Sequence, residues 1–438
     1  MEYFPNIIFA IILVLGIGFF ARNIKKLIRN IKLGQEVDAS NEKSQRWSNV
    51  VRIALGQSKM VRRPVSGFLH VIVYVGFVII NIEVLEIIID GLFGTHRIGL
   101  ELLPASLYGF LIGSFEILAV LVLVSVIVFW IRRNVIKLKR FLSSEMKGWP
   151  KNDGNIILYF EVVLMGLFLV MNATDTVFQM SNSGNIISQF IAPWFDGFSQ
   201  ETLHTIERVA WWFHIVGILL FLNYLYFSKH LHILLAFPNT YYGSVEPKGK
   251  FNNLEAVTAE VKLMMDPNAD PFAAPAEGAD DEAPAKFGAS DVMDLTQVQL
   301  LNAYTCTECG RCTSACPANL TGKKLSPRKI MMDTRDRLEE VGKNIDINKG
   351  KFVDDGKQLL GNYITNEELW ACTTCNACVE ECPVSINPLS IILEMRRYLV
   401  MEQSAAPMEL NNMMTNIENN GAPWPYNQMD RLNWKDEH

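Results

Sequence analysis

Two stretches decide how this chain reads: Cys306-Thr-Glu-Cys309-Gly-Arg-Cys312-Thr-Ser-Ala-Cys316-Pro317 and Cys372-Thr-Thr-Cys375-Asn-Ala-Cys378-Val-Glu-Glu-Cys382-Pro383. Between them they hold all eight cysteines of the 438 residues, so none is left for a structural disulfide elsewhere. An even count of scattered cysteines suggests a secreted framework, whereas two tight groups suggest metal ligation in a reducing compartment.

Both runs fit the C-x₂-C-x₂-C-x₃-C-P spacing of proteins that carry two [4Fe–4S] clusters. Three thiolates on a tight loop hold three corners of a cubane. The fourth cysteine, beyond a turn and just before proline, reaches the other cluster. Cluster I is therefore assigned to Cys306, Cys309, Cys312 and Cys382, and cluster II to Cys372, Cys375, Cys378 and Cys316. C-x₂-C is also a zinc pattern, but tetrahedral zinc leaves the doubled run and both trailing prolines unexplained.

Upstream of the cysteines the composition changes. Half of all residues are apolar, and these concentrate in the first 240. A helix needs ~20 residues to cross the ~30 Å bilayer core. Five apolar stretches are long enough: Phe4–Ala21, Val65–Ile89, Leu103–Ile131, Asn155–Phe178 and Val209–Phe237. The first lacks a basic start and a small-residue cleavage site, so it reads as a retained helix.

Arg22, Lys25, Lys26, Arg29, Lys32, Arg46, Arg52, Arg62 and Arg63 follow the first stretch, and Arg132, Arg133, Lys137, Lys139 and Arg140 follow the third. The intervening loops are nearly free of basic residues. The positive-inside rule then predicts a multi-pass protein of the cell (inner) membrane, with its N-terminus outside and everything after the fifth helix in the cytoplasm. No basic stripe interleaved with aromatics lies outside the membrane loops, which argues against nucleic-acid binding.

Domain limits follow from composition: a five-helix membrane domain over 1–242, an amphipathic segment and linker over 243–294, a two-cluster domain over 295–401 and a tail over 402–438. The Pro/Ala/Asp-rich stretch from Asp266 to Ala289 cannot bury a core and reads as disordered. Helical patterns at Leu295–Tyr304, Pro327–Val341, Glu367–Ala371 and Pro388–Met401 dominate the rest. The expected fold is all-α: a transmembrane five-helix bundle followed by a cytoplasmic α-helical two-cluster ferredoxin domain.

The cysteine runs stand 56 residues apart, counted from Cys316 to Cys372, with a helical insert between them. After the second run come Arg396-Arg397-Tyr398-Leu399-Val400 and Asn416-Ile-Glu418-Asn419-Asn420-Gly421-Ala422-Pro423-Trp424. From about Leu295 to Trp434 the chain resembles the α-helical ferredoxin domain of heterodisulfide reductase C-type subunits, glycerol-3-phosphate dehydrogenase anchor subunits and succinate dehydrogenase iron–sulfur subunits. Heterodisulfide-reductase-like chains often continue into cysteine-rich CCG domains, but no cysteine follows Cys382 here. The resemblance therefore implies a conduit whose terminal chemistry lies on a CCG-domain iron–sulfur or flavin-containing cytoplasmic subunit, with the tail as the docking element.

Six of the seven histidines lie in or near the membrane region, where a buried polar side chain is costly enough to suggest function. His70 sits near the cytoplasmic end of the second helix and His232 near that of the fifth, so the two could ligate one b-type haem iron. His214 lies eighteen residues before His232, on the same face of a continuous helix, and His230 on the opposite face. The five-helix, N-outside arrangement resembles the gamma subunit of respiratory nitrate reductase and related heterodisulfide reductase membrane subunits. In that family two haems hang between helices 2 and 5. Three of the four histidines match; Ile80 stands where the outer haem's second ligand would be.

Glu83, Glu86, Glu116, Glu161 and Asp175 lie in or near the spans as candidates for a proton path, with Glu116 and Asp175 favoured by depth. The expected function is electron transfer between a membrane quinone, as substrate, and a cytoplasmic redox partner through haem b and two [4Fe–4S] clusters. The competing reading is a haem-free anchor for a soluble iron–sulfur or flavin enzyme.

Overall fold

A computed structural model describes residues 3–181, 183–247, 249–267 and 286–436. Five helices are long and apolar enough to cross a membrane: α1 (Phe4–Ile31), α2 (Pro64–Phe93), α3 (Ala105–Asn134), α4 (Trp149–Thr174) and α5 (Gln200–Tyr224), the last extended by a 3₁₀ turn to Phe227. In hydrocarbon every backbone amide needs an internal partner, which a helix supplies along its whole length. Neighbours pack in a ring: α1 on α2, α2 on α3, α3 on α4, α4 on α5, and α5 back on α1. Phe9, Ile112, Ala119, Phe168 and Ile215 fill the interior, while Val14, Phe68, Leu85, Phe110 and Val124 point outward.

The fifth span does not run on to Phe237. Ser228 adopts an extended conformation (φ −118°, ψ 147°), a short 3₁₀ turn covers Lys229–Leu231, and α6 (His232–Tyr242) begins a new helix. The Ser228 hydroxyl accepts from the His230 amide and caps the new turn. This break removes the continuous helix on which the relative facing of His214, His230 and His232 was predicted.

The second half folds as expected. α7 (Gln297–Thr305) opens on a capping box between Thr296 and Gln299, and α9 (Pro327–Ile347) on Ser326 and Pro327. α8 (Arg311–Ala315) and α10 (Ala377–Glu381) are single turns beside the cysteine runs, and α11 (Pro388–Met401) closes the domain. Leu300, Ile330, Leu338, Val341, Ile391 and Met395 form its core. Among the described residues there are no strands, only two isolated β-bridges.

Most of the stretch read as a disordered linker, 268–285, lies outside the described residues. Its C-terminal end is folded, however. Ala289 is fully buried, and its amide donates to the Glu394 carbonyl at 3.0 Å, so the domain begins by Lys286 rather than Leu295. The domain is also not a loose tether. Asn30 at the end of α1 donates to the Tyr304 hydroxyl at 2.9 Å, and Lys26 pairs with Asp346 at 2.7 Å. Arg63 pairs with Glu381 at 2.8 Å, and Arg328 with Glu145 at 2.7 Å. The two basic loops and the cysteine domain thus share one end of the bundle.

Beyond α11, helix α12 (Met408–Asn420) and the turns after it bury no residue among those described. Met408, Ile417, Trp424 and Trp434 are all exposed.

Candidate functional site

The two cysteine loops are near copies in backbone. In the first, Glu308 (φ 53°) and Gly310 (φ 71°) are left-handed; in the second, Thr374 (φ 54°) and Asn376 (φ 58°) are. These are the same two positions in each C-x₂-C-x run. Gly310 and Asn376 each precede a one-turn helix, and glycine and asparagine are the residues that adopt this conformation most readily. α8 packs directly on α10, which brings the runs together across 56 residues of chain.

The thiols group accordingly. Burial raises the Cys312 thiol, and its next influences are Cys309, Cys306, Cys382 and Cys378. Burial raises Cys378 to about 12, with Cys372, Cys316 and Cys375 as its thiol neighbours. These neighbours fit the expected ligand sets, with Cys382 beside the first run and Cys316 beside the second, although Cys378 also acts on Cys312. Burial also pushes Cys306 to about 12 and Cys382 to about 11. Thiols held that high stay protonated until iron displaces the proton, and coordination to a metal supplies that force. Backbone amides already point at two sulfurs, Thr374 N–H at Cys372 (3.4 Å) and Ile386 N–H at Cys382 (3.3 Å), the kind of contact that tunes cluster potential.

In the bundle, His70 on α2 and His232 at the start of α6 face each other with ring centroids 6.4 Å apart. The His232 Nδ1–H donates to the Lys229 carbonyl at 3.0 Å, which leaves Nε2 as the free lone pair. Buried His70 Nδ1 has no hydrogen-bond partner among the described residues. A metal ~2 Å from one nitrogen of each ring, the usual metal–imidazole distance, places the ring centres ~6 Å apart. The pair therefore fits an iron between them.

His230 is not turned away. Its ring stands 5.4 Å from that of His232, nearly perpendicular, and 5.3 Å from Phe221. His214 is buried against Phe168 of α4 at 6.1 Å. Glu116 accepts from the Asn172 side chain (3.0 Å) and from the Ile187 (2.7 Å) and Ser188 (3.0 Å) amides, and Asp175 pairs with Arg97 at 2.6 Å. Those two carboxylates are tied to neighbouring groups, whereas among the described residues Glu83 Oε2 is a buried carboxylate oxygen without a partner.

Sequence reasoning missed Lys229 and Glu308. The Lys229 ammonium pairs with Glu308, between Cys306 and Cys309, and donates to the Pro150 carbonyl at 2.6 Å. Glu308 also pairs with Arg335 at 2.9 Å. One residue thus touches both the histidine pair, through its carbonyl, and the first cysteine loop, through its ammonium. A glutamate inside a C-x₂-C run, which spacing marks as a surface residue, was the only clue.

Residues 305–386 match the 4Fe-4S dicluster domain family. The chain is a membrane-anchored iron–sulfur protein. It is 29% identical to the probable iron-sulfur-binding oxidoreductase FadF of Bacillus subtilis, over 98% of this chain and 61% of that one. It is 26% identical to the EtfAB:quinone oxidoreductase of Syntrophomonas wolfei, over 93% of this chain and 55% of that one. A probable membrane-anchored ferredoxin of Chromohalobacter salexigens is 34% identical over 35% of this chain and 25% of its own. More distant relatives include subunits C and D of methanogen CoB-CoM heterodisulfide reductases. The chain spans 61% and 55% of the length of its first two relatives. No solved structure was found to match it. Both cysteine runs fall inside the matched dicluster domain, which fits two [4Fe–4S] clusters.

Proposed function

We propose that the protein moves electrons between the membrane quinone pool and a cytoplasmic redox partner, using a b-type haem held by His70 and His232 together with the two clusters. The observation that carries this reading is the 6.4 Å separation of those two rings, beside a residue that also touches the first cysteine loop. A haem held there would supply one-electron chemistry, the conversion needed between a two-electron quinol and one-electron clusters. His70 and His232 would hold it through one ring nitrogen each, with the Lys229 carbonyl fixing the His232 tautomer.

The S. wolfei relative is by name an EtfAB:quinone oxidoreductase, which supports quinone-linked exchange with a redox partner here. The exposed tail from Met408 onward suits docking of that partner. The basic loops and the cysteine domain lie together, and the positive-inside rule puts that end in the cytoplasm.

An anaerobic optical and EPR redox titration of the purified chain tests the proposal. A b-type band reducible by a short-chain quinol is expected. A protein with both clusters and no such band is instead a haem-free anchor.

A further inference from the structure

The two cysteine loops share a backbone but not an environment. Cys306, Glu308 and Gly310 of the first are buried, whereas Thr373 and Cys375 of the second are exposed. What covers the first loop is the membrane bundle, from three separate turns. The ammonium of Lys229, after α5, pairs with Glu308. The carbonyls of Lys59 and Met60, before α2, each accept from Arg311 at 3.1 Å. The carbonyl of Arg140, after α3, accepts at 2.7 Å from Arg328, whose guanidinium lies so close to Gly310 that a Cβ there would stand 2.6 Å from it. Arg311 is also near enough to His70 to act on it electrostatically. The fourth ligand of this cluster, Cys382, adjoins Glu381, which pairs with Arg63 of the bundle.

We propose that cluster I is the membrane-facing centre and that cluster II, through its Cys375 edge, is where the electron-carrying partner subunit docks. Tunnelling weakens steeply with distance, so a partner centre must approach a cluster edge that protein does not cover. Among the described residues the second loop offers one, at Thr373 and Cys375. Each transfer moves one electron: the donor cluster is oxidised, its neighbour is reduced, and no bond forms or breaks. The direction-independent order is bundle, cluster I, cluster II, partner. That order rests on the proposal that electrons cross from the bundle, whereas the placement of the two clusters does not.

Reduction adds a negative charge to a cluster, so a nearby charge change shifts that cluster's potential most. In full-length protein titrated by EPR, Lys229→Met is expected to lower the potential of one signal, and Glu308→Gln to raise that same signal. Either variant suffices if the other fails to fold. Thr373→Glu is expected to lower the second signal only. An aqueous dysprosium chelate should speed relaxation of the signal that Thr373→Glu moves, and leave the other nearly unchanged.

Two results overturn the placement: Lys229 and Glu308 variants moving the dysprosium-sensitive signal, or both signals responding equally throughout. If quinol reduces neither cluster although dithionite reduces both with the expected shifts, the quinone reading fails and the placement stands. With quinol as donor in freeze-quench EPR, the Lys229-sensitive signal should appear first. The reverse order overturns the sequence of centres.

Discussion

The rings of His70 and His232 face each other 6.4 Å apart at 41°, although one sits six residues into α2 and the other opens α6 beyond a break in the chain. On the proposed ligation both rings grip one iron, so His70→Ala and His232→Ala should each abolish the same b-type band. His230 now carries a different expectation from the one a continuous helix gives. Its ring lies 5.4 Å from His232, so His230→Ala should shift the band's potential while leaving it present. An optical titration of the three variants checks this. Retention of the band in His232→Ala would remove the ligand pair.

The cluster content has its own test. Anaerobically purified chain should hold about eight non-haem irons and eight acid-labile sulfides, the content of two cubanes. The crossed ligation makes a sharper claim. Cys382→Ser should perturb the same EPR signal as Cys309→Ser, and Cys316→Ser the same signal as Cys375→Ser. Pairing by run instead, Cys382 with Cys375, would refute the crossed assignment read from the motif spacing. Zinc without labile sulfide would refute the clusters altogether.

Much of this was legible in the sequence, for identifiable reasons. Cysteine spacing is a local constraint, and membrane spans announce themselves by length and apolarity, so both survive without tertiary knowledge. The break at Ser228 did not, because the sequence there has no proline or glycine and a lone serine is weak evidence for a new helix start. Docking of the cluster domain was also illegible. It depends on partners far apart in sequence, such as Asn30 with Tyr304 and Lys229 with Glu308, which no periodicity records. Glu116 and Asp175 were favoured for a proton path by depth alone, and depth says nothing of the amides and guanidinium that occupy them.

Docking of the domain should depend on close packing more than on ion pairs. Lys26 and Arg29 hold Asp346 below the usual carboxylate range through their hydrogen bonds to it. A depressed carboxylate contributes stability above its unfolded value and loses it only as pH falls through the lower folded one, so acidification from pH 7 to 5 should leave docking intact. All three side chains are about one-third exposed, and such pairs are worth ~1 kcal/mol or less, so Asp346→Asn should matter little. Gly342 is different. A Cβ there would meet the Asn30 side chain at 2.5 Å, and overpacking of that kind costs ~1–3 kcal/mol. Gly342→Val should expose Lys26 and Arg29 to trypsin, whereas Asp346→Asn should not. Equal protection of both variants would show that the contact is dispensable.

The tail offers a test of partner docking. Since α12 buries nothing among the described residues, removing Met408 to His438 should leave both clusters and the haem band in place. Co-purification with the partner subunit and quinone-linked electron transfer to it should be lost. Loss of the clusters themselves would assign the tail a structural role.

The stability of the cluster domain should hinge on Arg337, which is fully buried on α9. Its guanidinium reaches Asp291 at 2.8 Å and Asp355 at 2.6 Å and donates to the Lys357 carbonyl at 2.8 Å. It thereby ties the segment entering the domain and the loop after α9 to one helix. Removing one member of a buried pair leaves the other charge without compensation, a loss on the order of 3–5 kcal/mol. The carboxylates here keep some contact with water, so Arg337→Met should fall at the lower end, about 3 kcal/mol. Arg337→Lys should rescue only part of it, because an ammonium cannot span two carboxylates in a fork. Adding Asp291→Asn to Arg337→Met should recover part of the stability, since one of the two unpaired carboxylates is then neutral. Denaturant unfolding followed by loss of cluster absorbance measures all three variants. If Arg337→Met alone unfolds at the wild-type midpoint, the guanidinium is not what holds these segments together.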